Sequence, residues 1–272
     1  MSGHLNKDPA RTVSAHEELC GSLVMVVEFT GIARSYNLTK LIASLLPAAD
    51  ILEIDPLSVP ENALWSVSAR AQEFCRKIVG RAPARVVIIG YCSAAVLCGQ
   101  VARQLTQSGI NVTGTALLDP VIVDDELIDN ALQEIESSLD CGSRIRDNIP
   151  AVSNELFDIS RTEELLRVLA NEYGATHFPG GARIESLIEE LADRYIAWIS
   201  FLCSTAWDTV PMRHPGRLAI FSSVDALASG EYRTIFEVDE LKLYPSHGQP
   251  CISLPDCVAD LCAWMKEVIA CK

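Results

Sequence analysis

The sequence predicts an α/β fold in which a mostly parallel sheet is flanked by helices. As far as Leu118, short apolar runs rich in β-branched residues alternate with longer stretches of helical spacing. The apolar runs are nearly continuous, which is typical of strands that are covered on both faces. With 272 residues, the chain is long enough for one large domain with a substantial core.

The first half of the chain is predicted to hold four strands with three helices between them. The strands are Ser22–Phe29, Asp50–Ile54, Arg85–Ile89 and Val112–Leu118. The helices are Ser35–Leu46, Asn62–Val79 and Ser93–Gln107. Asn62 follows Pro60 and is of a residue type that caps helices, so the second helix is expected to begin there.

Between Val121 and Pro215 the strand pattern stops, and we predict a helical lid at about 121–215 that is inserted into the sheet. Its helical stretches are Glu126–Leu139, Thr162–Tyr173 and Ile184–Leu202. Strands are predicted again at Arg217–Ser222 and Leu241–Tyr244, and a last helix at Asp256–Ala270. Residues 1–20 are polar and are expected to be a flexible leader, which leaves 21–272 as a single domain.

Composition excludes several classes of function. The net charge is −14, from 22 basic and 36 acidic residues, which disfavours nucleic acids and anionic membranes as partners. No apolar run is long enough for a membrane span and the start of the chain lacks a signal core, so we expect a cytoplasmic protein. The ten cysteines include no C-x-x-C pair, so neither a disulfide framework nor a metal site is expected.

One turn has the pattern of a nucleophile elbow. The strand ending at Ile89 runs into Gly90-Tyr91-Cys92-Ser93-Ala94, and a helix follows at once. This is the context of the G-x-S-x-G motif, with Cys92 as the nucleophile and Ala94 in place of the second glycine. A helix N-terminus at this point is expected to favour the thiolate. The alternative is a buried cysteine at an ordinary turn between strand and helix.

A thiol nucleophile needs a base and an acid that orients the base. Chain order in an α/β-hydrolase fold places the histidine last, which selects His247. The other histidines lie in the leader or the predicted lid: His4, His16, His177 and His214. Two acids compete, Asp119 at the end of the fourth strand and Asp225 after the fifth, and we favour Asp119.

Two backbone N–H groups are expected to form an oxyanion hole. One belongs to Ser93, the residue after the nucleophile. The other is expected from the loop after the first strand, from Gly31 or Ile32. Gly31 could equally be a plain turn glycine.

Three segments resemble the thioesterase domains of nonribosomal peptide and polyketide synthesis, namely Gly90–Pro120, Glu28–Leu45 and Ser246–Met265. The resemblance covers roughly Ser22–Pro120 and Arg217–Ala270, and it implies an α/β-hydrolase fold that acts on acyl thioesters. The separation of 27 residues between Cys92 and Asp119 resembles that of the integrated type of domain, which is the main reason to prefer Asp119.

The cysteine departs from the usual serine, and in this it resembles the stand-alone aminoacyltransferases of coronamic acid and syringomycin assembly. That resemblance implies transfer of an acyl or aminoacyl group between phosphopantetheine thiols of carrier proteins, with no bound cofactor or metal. The alternatives are a type II-like hydrolytic thioesterase with the same triad and a non-catalytic fold that binds an acyl ligand. Candidate carrier-docking residues are the lid arginines Arg161, Arg167 and Arg183.

Overall fold

A computed structural model describes residues 21–29, 37–149, 158–178, 182–208, 214–224, 237–245 and 248–270. The described strands form one six-stranded sheet in which every pairing is parallel. They are β1 (Ser22–Val27), β2 (Asp50–Ile54), β3 (Arg85–Tyr91), β4 (Asn111–Leu118), β5 (Arg217–Ser223) and β6 (Glu240–Tyr244). Their order across the sheet is β2-β1-β3-β4-β5-β6, so β1 lies beside the edge strand β2, and β3 to β6 follow on its other side in chain order.

Eight α-helices are described. They are α1 (Leu38–Leu45), α2 (Val67–Val79), α3 (Ala95–Gln107), α4 (Asp125–Ser138), α5 (Arg144–Asn148), α6 (Ile159–His177), α7 (Ala182–Trp207) and α8 (Pro255–Ala270). None of them combines the length and the apolar character that a membrane crossing requires.

Helices cover both faces of the sheet, which explains the continuous apolar strands. In β1, Leu23 and Met25 point into a cluster that includes side chains of α2, α3 and the helices between β4 and β5. Val24 and Val26 point into the opposite cluster, which includes side chains of α1 and α8. All six residues of β1 are buried. The strand therefore lacks the alternation of apolar and polar residues that is typical of a strand with one exposed face.

The predicted start of the second helix at Asn62 is wrong. Glu61–Ala63 form a separate 3-10 turn, and α2 begins at Val67. Ser66 caps it, because its side chain accepts a hydrogen bond from the backbone N–H of Ala69 at 3.2 Å. Asn62 and Ser66 are both residue types that cap helices. Only the course of the backbone in the folded protein shows that Ser66 is the cap.

Between β4 and β5, the described residues contain four helices, α4 to α7, and no strand. Helix α5 was not predicted, because its N-terminus is capped from a distant position. The Glu136 carboxylate accepts the N–H groups of Ile145 and Arg146, both at 2.9 Å. Whether this helical insertion acts as a lid stays a prediction.

A buried arginine joins the insertion to the core. Arg70 on α2 is fully buried and donates to the hydroxyl of Ser200, at 2.7 Å, and to the carbonyl of Ala197, at 3.3 Å. Both acceptors lie on α7. Burial lowers the Arg70 pKa to about 9, with the negative charge of Asp55 acting in the opposite direction. The guanidinium is therefore still charged at neutral pH, and it fixes α7 against α2.

Candidate active site

Cys92 stands at the turn between β3 and α3 with its backbone in the left-handed region. Its φ is 57°, and Cys92–Ala94 form a single 3-10 turn before α3 begins at Ala95. A left-handed conformation costs a non-glycine residue about 1–3 kcal/mol, and such residues are concentrated at functional sites. This strained strand-to-helix turn is the geometry expected of a nucleophile elbow.

The close packing around the turn explains its small residues. A Cβ atom on Gly90 would lie 2.4 Å from the sulfur of Cys98 and 3.4 Å from a methyl carbon of Leu117. Ala94 is fully buried, so its single methyl group fills the available space. Glycine is thus required at the first small position of the motif, whereas alanine fits at the second.

Opposing effects act on the pKa of the Cys92 thiol. Burial raises its pKa, and the negative charge of Asp119 raises it further. Hydrogen bonds from the backbone and side chain of Ser93 lower the pKa, as a helix N-terminus should, but they do not outweigh burial. The turn itself therefore acts toward the thiolate, as expected, but burial and the charge of Asp119 act more strongly in the opposite direction. Within the surroundings that the described residues form, Cys92 is a thiol that needs a base.

Asp119 lies at the end of β4, beside this turn. Its φ is 40°, also in the left-handed region, and its side chain is buried. The backbone N–H of Val121 donates to the carbonyl of Cys92 at 3.1 Å, which ties the two chain segments together. Asp119 is thus held next to Cys92 at the carboxyl edge of the sheet, where α/β folds place their functional groups.

The Asp119 carboxylate is held by three donors. One oxygen, Oδ1, accepts the N–H of Ser223 at 2.7 Å and the hydroxyl of Ser222 at 3.3 Å. The other oxygen, Oδ2, accepts the N–H of Cys251 at 2.6 Å. A carboxylate can accept about four hydrogen bonds, so Oδ2 has capacity for a further donor such as an imidazole N–H.

Ser222, Ser223 and Cys251 were not identified from the sequence. Two of them act through backbone N–H groups, which leave no signal in residue type. For the two serines, the one available signal was their position at the end of β5, since parallel strands end at the carboxyl edge where α/β folds place functional groups.

Four of the predicted site residues lie outside the described residues: His247, Gly31, Ile32 and Asp225. Their roles stay predictions. Two described residues that are near His247 in the sequence, Tyr244 and Cys251, lie close to the surroundings of Asp119. Tyr244 is paired with Ser223 at the end of β6, and Cys251 contacts the Asp119 carboxylate.

The two histidines that the structure describes lie away from Cys92. His214 precedes β5, at the amino edge of the sheet, whereas Cys92 follows β3 at the carboxyl edge. Burial lowers the pKa of His214 to about 4. His177 is exposed at the end of α6, where its ring stacks on Tyr173 with centroids 4.4 Å apart.

The predicted docking arginines differ in their surroundings. Arg167 forms an ion pair with Asp193 at 2.7 Å, and Arg161 lies 3.5 Å from the Asn148 side-chain oxygen. The side chain of Arg183 lies outside the described part of the chain. Across that described part, no three histidine, cysteine or acidic side chains come together in a way that could hold a metal ion.

No protein-family model matches the chain, and no curated protein matches it in sequence. Solved structures do match in fold. The NocB thioesterase domain from the nocardicin cluster has a TM-score of 0.52 at 15% identity, over 94% of this chain and 97% of that one. The bottromycin epimerase BotH has a TM-score of 0.52 at 14% identity, over 92% and 90%. A hydrolase from Oleispira antarctica has a TM-score of 0.50 at 15% identity, over 90% of each chain.

These similarities, together with the parallel sheet, define the class: the chain has the α/β-hydrolase fold. The three similar proteins are described as a thioesterase domain, an epimerase and a hydrolase. One fold therefore supports different reactions, and the reaction of this chain has to be argued from its own site.

Proposed function

We propose that this protein is a thioester-processing enzyme in which Cys92 forms a covalent acyl-enzyme. The observation that supports this most is the left-handed Cys92 at the strand-to-helix turn, beside a buried and hydrogen-bonded Asp119. In the proposed triad, His247 removes the proton from Cys92, and Asp119 orients the imidazole. Ser93, with Gly31 or Ile32, donates backbone N–H groups to the oxyanion.

The raised pKa of Cys92 gives His247 a specific task. A thiol with a raised pKa is mostly protonated at neutral pH and is a weak nucleophile, so its proton must be removed as it attacks. The thiolate then adds to the thioester carbonyl, and the carbon–sulfur bond to the donor breaks. The donor thiol leaves with the proton that His247 had taken, and the acyl group remains on Cys92.

We propose further that the acyl or aminoacyl group passes to a second thiol. A cysteine acyl-enzyme is itself a thioester, so exchange with a carrier phosphopantetheine breaks and forms the same type of bond in each direction. The proposed substrates are therefore acyl thioesters of carrier proteins, with the phosphopantetheine belonging to the partner. Similarity in fold to the NocB thioesterase domain supports thioester chemistry without distinguishing transfer from release.

Hydrolysis is the second candidate, because the same acyl-enzyme can be attacked by water. Transfer and hydrolysis differ only in the acceptor, and they are separated by a competition. One carrier is loaded with a labelled acyl group, and a second, empty carrier is added with the enzyme. Transfer predicts label on the second carrier before free acid accumulates. Free acid as the main product, with several acceptors tested, would identify a hydrolytic thioesterase.

The Cys92→Ser variant is the matched control for the competition. A serine ester is more stable than a thioester and a poorer donor to thiols. The variant should therefore shift the products from transfer toward free acid or a stalled ester. An unchanged ratio of products would show that the cysteine has no special part in transfer.

A further inference from the structure

One carbonyl oxygen receives hydrogen bonds from two parts of the proposed site. The carbonyl of Phe221 accepts the backbone N–H of Asp119 at 2.8 Å. It also accepts the thiol of Cys251, with the sulfur at 3.2 Å. Asp119 at the end of β4 and Cys251, which follows β6, are therefore attached to the same point of β5.

Cys251 also contacts the carboxylate directly. Its backbone N–H lies 2.6 Å from Oδ2 of Asp119, whereas the donors to Oδ1 come from β5. Among the described residues, the hydrogen bond to Oδ2 comes from Cys251. Cys251 is thus linked to Asp119 in two ways. Its N–H binds the Asp119 carboxylate, and its thiol binds the Phe221 carbonyl that also accepts the Asp119 N–H.

The surroundings of Cys251 keep its thiol protonated. The side chain is fully buried. A hydrogen bond with Cys257 raises the pKa of Cys251, and burial and the negative charge of Asp119 raise it further. Because the proton stays on sulfur, the thiol remains a donor to the Phe221 carbonyl at any pH at which the enzyme would work.

We propose that Cys251 is a positioning residue that fixes the Asp119 carboxylate for its contact with the base. This inference rests on the proposed function, in which Asp119 orients His247. In the sequence, His247 lies four positions before Cys251, and Cys251 contacts the acid that is proposed to orient this base. The backbone N–H of Cys251 holds the carboxylate, and its thiol holds Cys251 on β5.

Three variants separate the two contacts. Cys251→Ala removes the thiol donor and keeps the backbone N–H. Cys251→Ser keeps a donor, so it should restore what the alanine variant loses. Cys251→Pro also removes the N–H, and its ring carbon would occupy the space in front of Oδ2. Proline suits this position otherwise, because Cys251 begins a 3-10 turn and Pro250 is extended, with ψ 143°.

The matched control is Cys75→Ala. Cys75 is also buried, and its thiol also lies near a carbonyl, that of Val101 at 3.7 Å, but on α2 away from the proposed site. The control therefore loses the same atoms without touching Asp119. Thermal unfolding of all four variants shows whether each one folds and measures the general cost of the substitution.

Two readouts are compared with wild type. The first is kcat/KM against pH, with the N-acetylcysteamine thioester that wild type turns over fastest from a panel of acyl groups. The second is the pH at which Cys92 becomes half-reactive toward iodoacetamide, followed by peptide mass spectrometry. The second readout needs no substrate, so it reports on Asp119 even if the proposed function is wrong.

Cys251→Ala should lower kcat/KM by about fivefold to tenfold, the size expected for one lost hydrogen bond, and Cys251→Pro by about 100-fold. Asp119 raises the pKa of Cys92, so a displaced carboxylate should move the alkylation midpoint to lower pH, by about half a unit or more. Cys251→Ser and Cys75→Ala should keep the wild-type midpoint.

Equal kcat/KM and equal midpoints in Cys251→Ala and Cys75→Ala would overturn the proposal, because the thiol would then only fill space. A serine variant as impaired as the alanine variant would overturn the part assigned to the S–H donor. If wild type turns over no thioester but the midpoints shift as expected, the proposed function fails while the contact between Cys251 and Asp119 stands.

Discussion

Cys92 and Asp119 leave neighbouring strands at the same level of the sheet, and both do so in the left-handed conformation. Tyr91 and Leu118, the residues before them, are register partners in β3 and β4. The φ angles that follow are 57° at Cys92 and 40° at Asp119. The two side chains are thus brought together by the pairing of the strands, although they are 27 positions apart in the chain.

The first prediction concerns acylation of Cys92. Incubation with acyl-loaded carriers or acyl thioesters should add the mass of one acyl group to wild type and none to Cys92→Ala. The reason is that the left-handed turn at Cys92 matches a nucleophile elbow, whereas no other described cysteine has a left-handed backbone. Intact-protein mass spectrometry measures the change. Cys203→Ala, which removes a buried thiol on α7, should still be acylated. An acyl adduct on Cys92→Ala would refute the assignment.

The second prediction concerns the base. His247→Ala should slow acylation of Cys92 by about 10²–10⁴-fold, the usual cost of losing a general base. His177→Ala and His214→Ala should acylate at close to the wild-type rate, because one is exposed on α6 and the other lies at the opposite edge of the sheet. Quenched-flow mass spectrometry gives the rates. A larger effect from either control would mean that the base comes from outside the predicted triad.

The third prediction concerns the acid. Asp119→Asn should reduce kcat/KM by about 10²-fold or more, because a neutral amide cannot stabilise a charged imidazole. It should also destabilise the fold by about 1–3 kcal/mol, since the amide NH₂ would face a backbone N–H of Ser223 or Cys251.

Urea unfolding and steady-state kinetics of Asp119→Asn measure these two effects. Asp225→Asn and Asp124→Ala are the controls for this variant. Asp124 caps α4 by accepting the N–H of Leu127 at 2.8 Å, so Asp124→Ala should lose stability without losing activity. Greater loss of activity in Asp225→Asn than in Asp119→Asn would transfer the acid role to Asp225.

The fourth prediction tests the packing of the elbow. Gly90→Ala should destabilise the fold by about 1–3 kcal/mol, because its Cβ would overlap the sulfur of Cys98. Combining it with Cys98→Ala removes that sulfur and should recover much of the loss. A double-mutant cycle in urea measures the coupling between the two sites. Purely additive effects would show that the obstacle is not Cys98.

The fifth prediction is a dependence of stability on pH that comes from His214. Burial lowers its pKa to about 4 in the folded state, against an ordinary value of 6.5. The folded state thus disfavours the protonated ring, so the contribution of His214 is complete above pH 6.5 and is lost as the pH falls toward 4. The shift corresponds to about 3 kcal/mol.

Urea unfolding between pH 7.5 and 4 measures this loss of stability. His214→Gln should flatten the profile, whereas His177→Gln, an exposed histidine, should retain it. A wild-type slope in His214→Gln would assign the acid sensitivity to other groups.

Local pattern was sufficient to predict most of the fold. Short stretches of sequence indicate several features of the fold. These features are the burial of β1 on both faces, the end of β3 near Gly90 and the position of β4. The α/β-hydrolase fold and the strand-to-helix turn at Cys92 could be predicted for that reason. The start of α2 could not, because Asn62 and Ser66 carry the same capping signal and the chain path chooses between them.

The tertiary structure decided what depends on contacts between distant segments. Glu136 caps α5 across nine positions, and Ser223 and Cys251 reach Asp119 over more than a hundred. Two of these donors are backbone N–H groups, which every residue except proline carries, so no sequence pattern marks them. Likewise, residue type suggested a thiolate at Cys92, but burial and the charge of Asp119 raise its pKa, and both depend on the assembled fold.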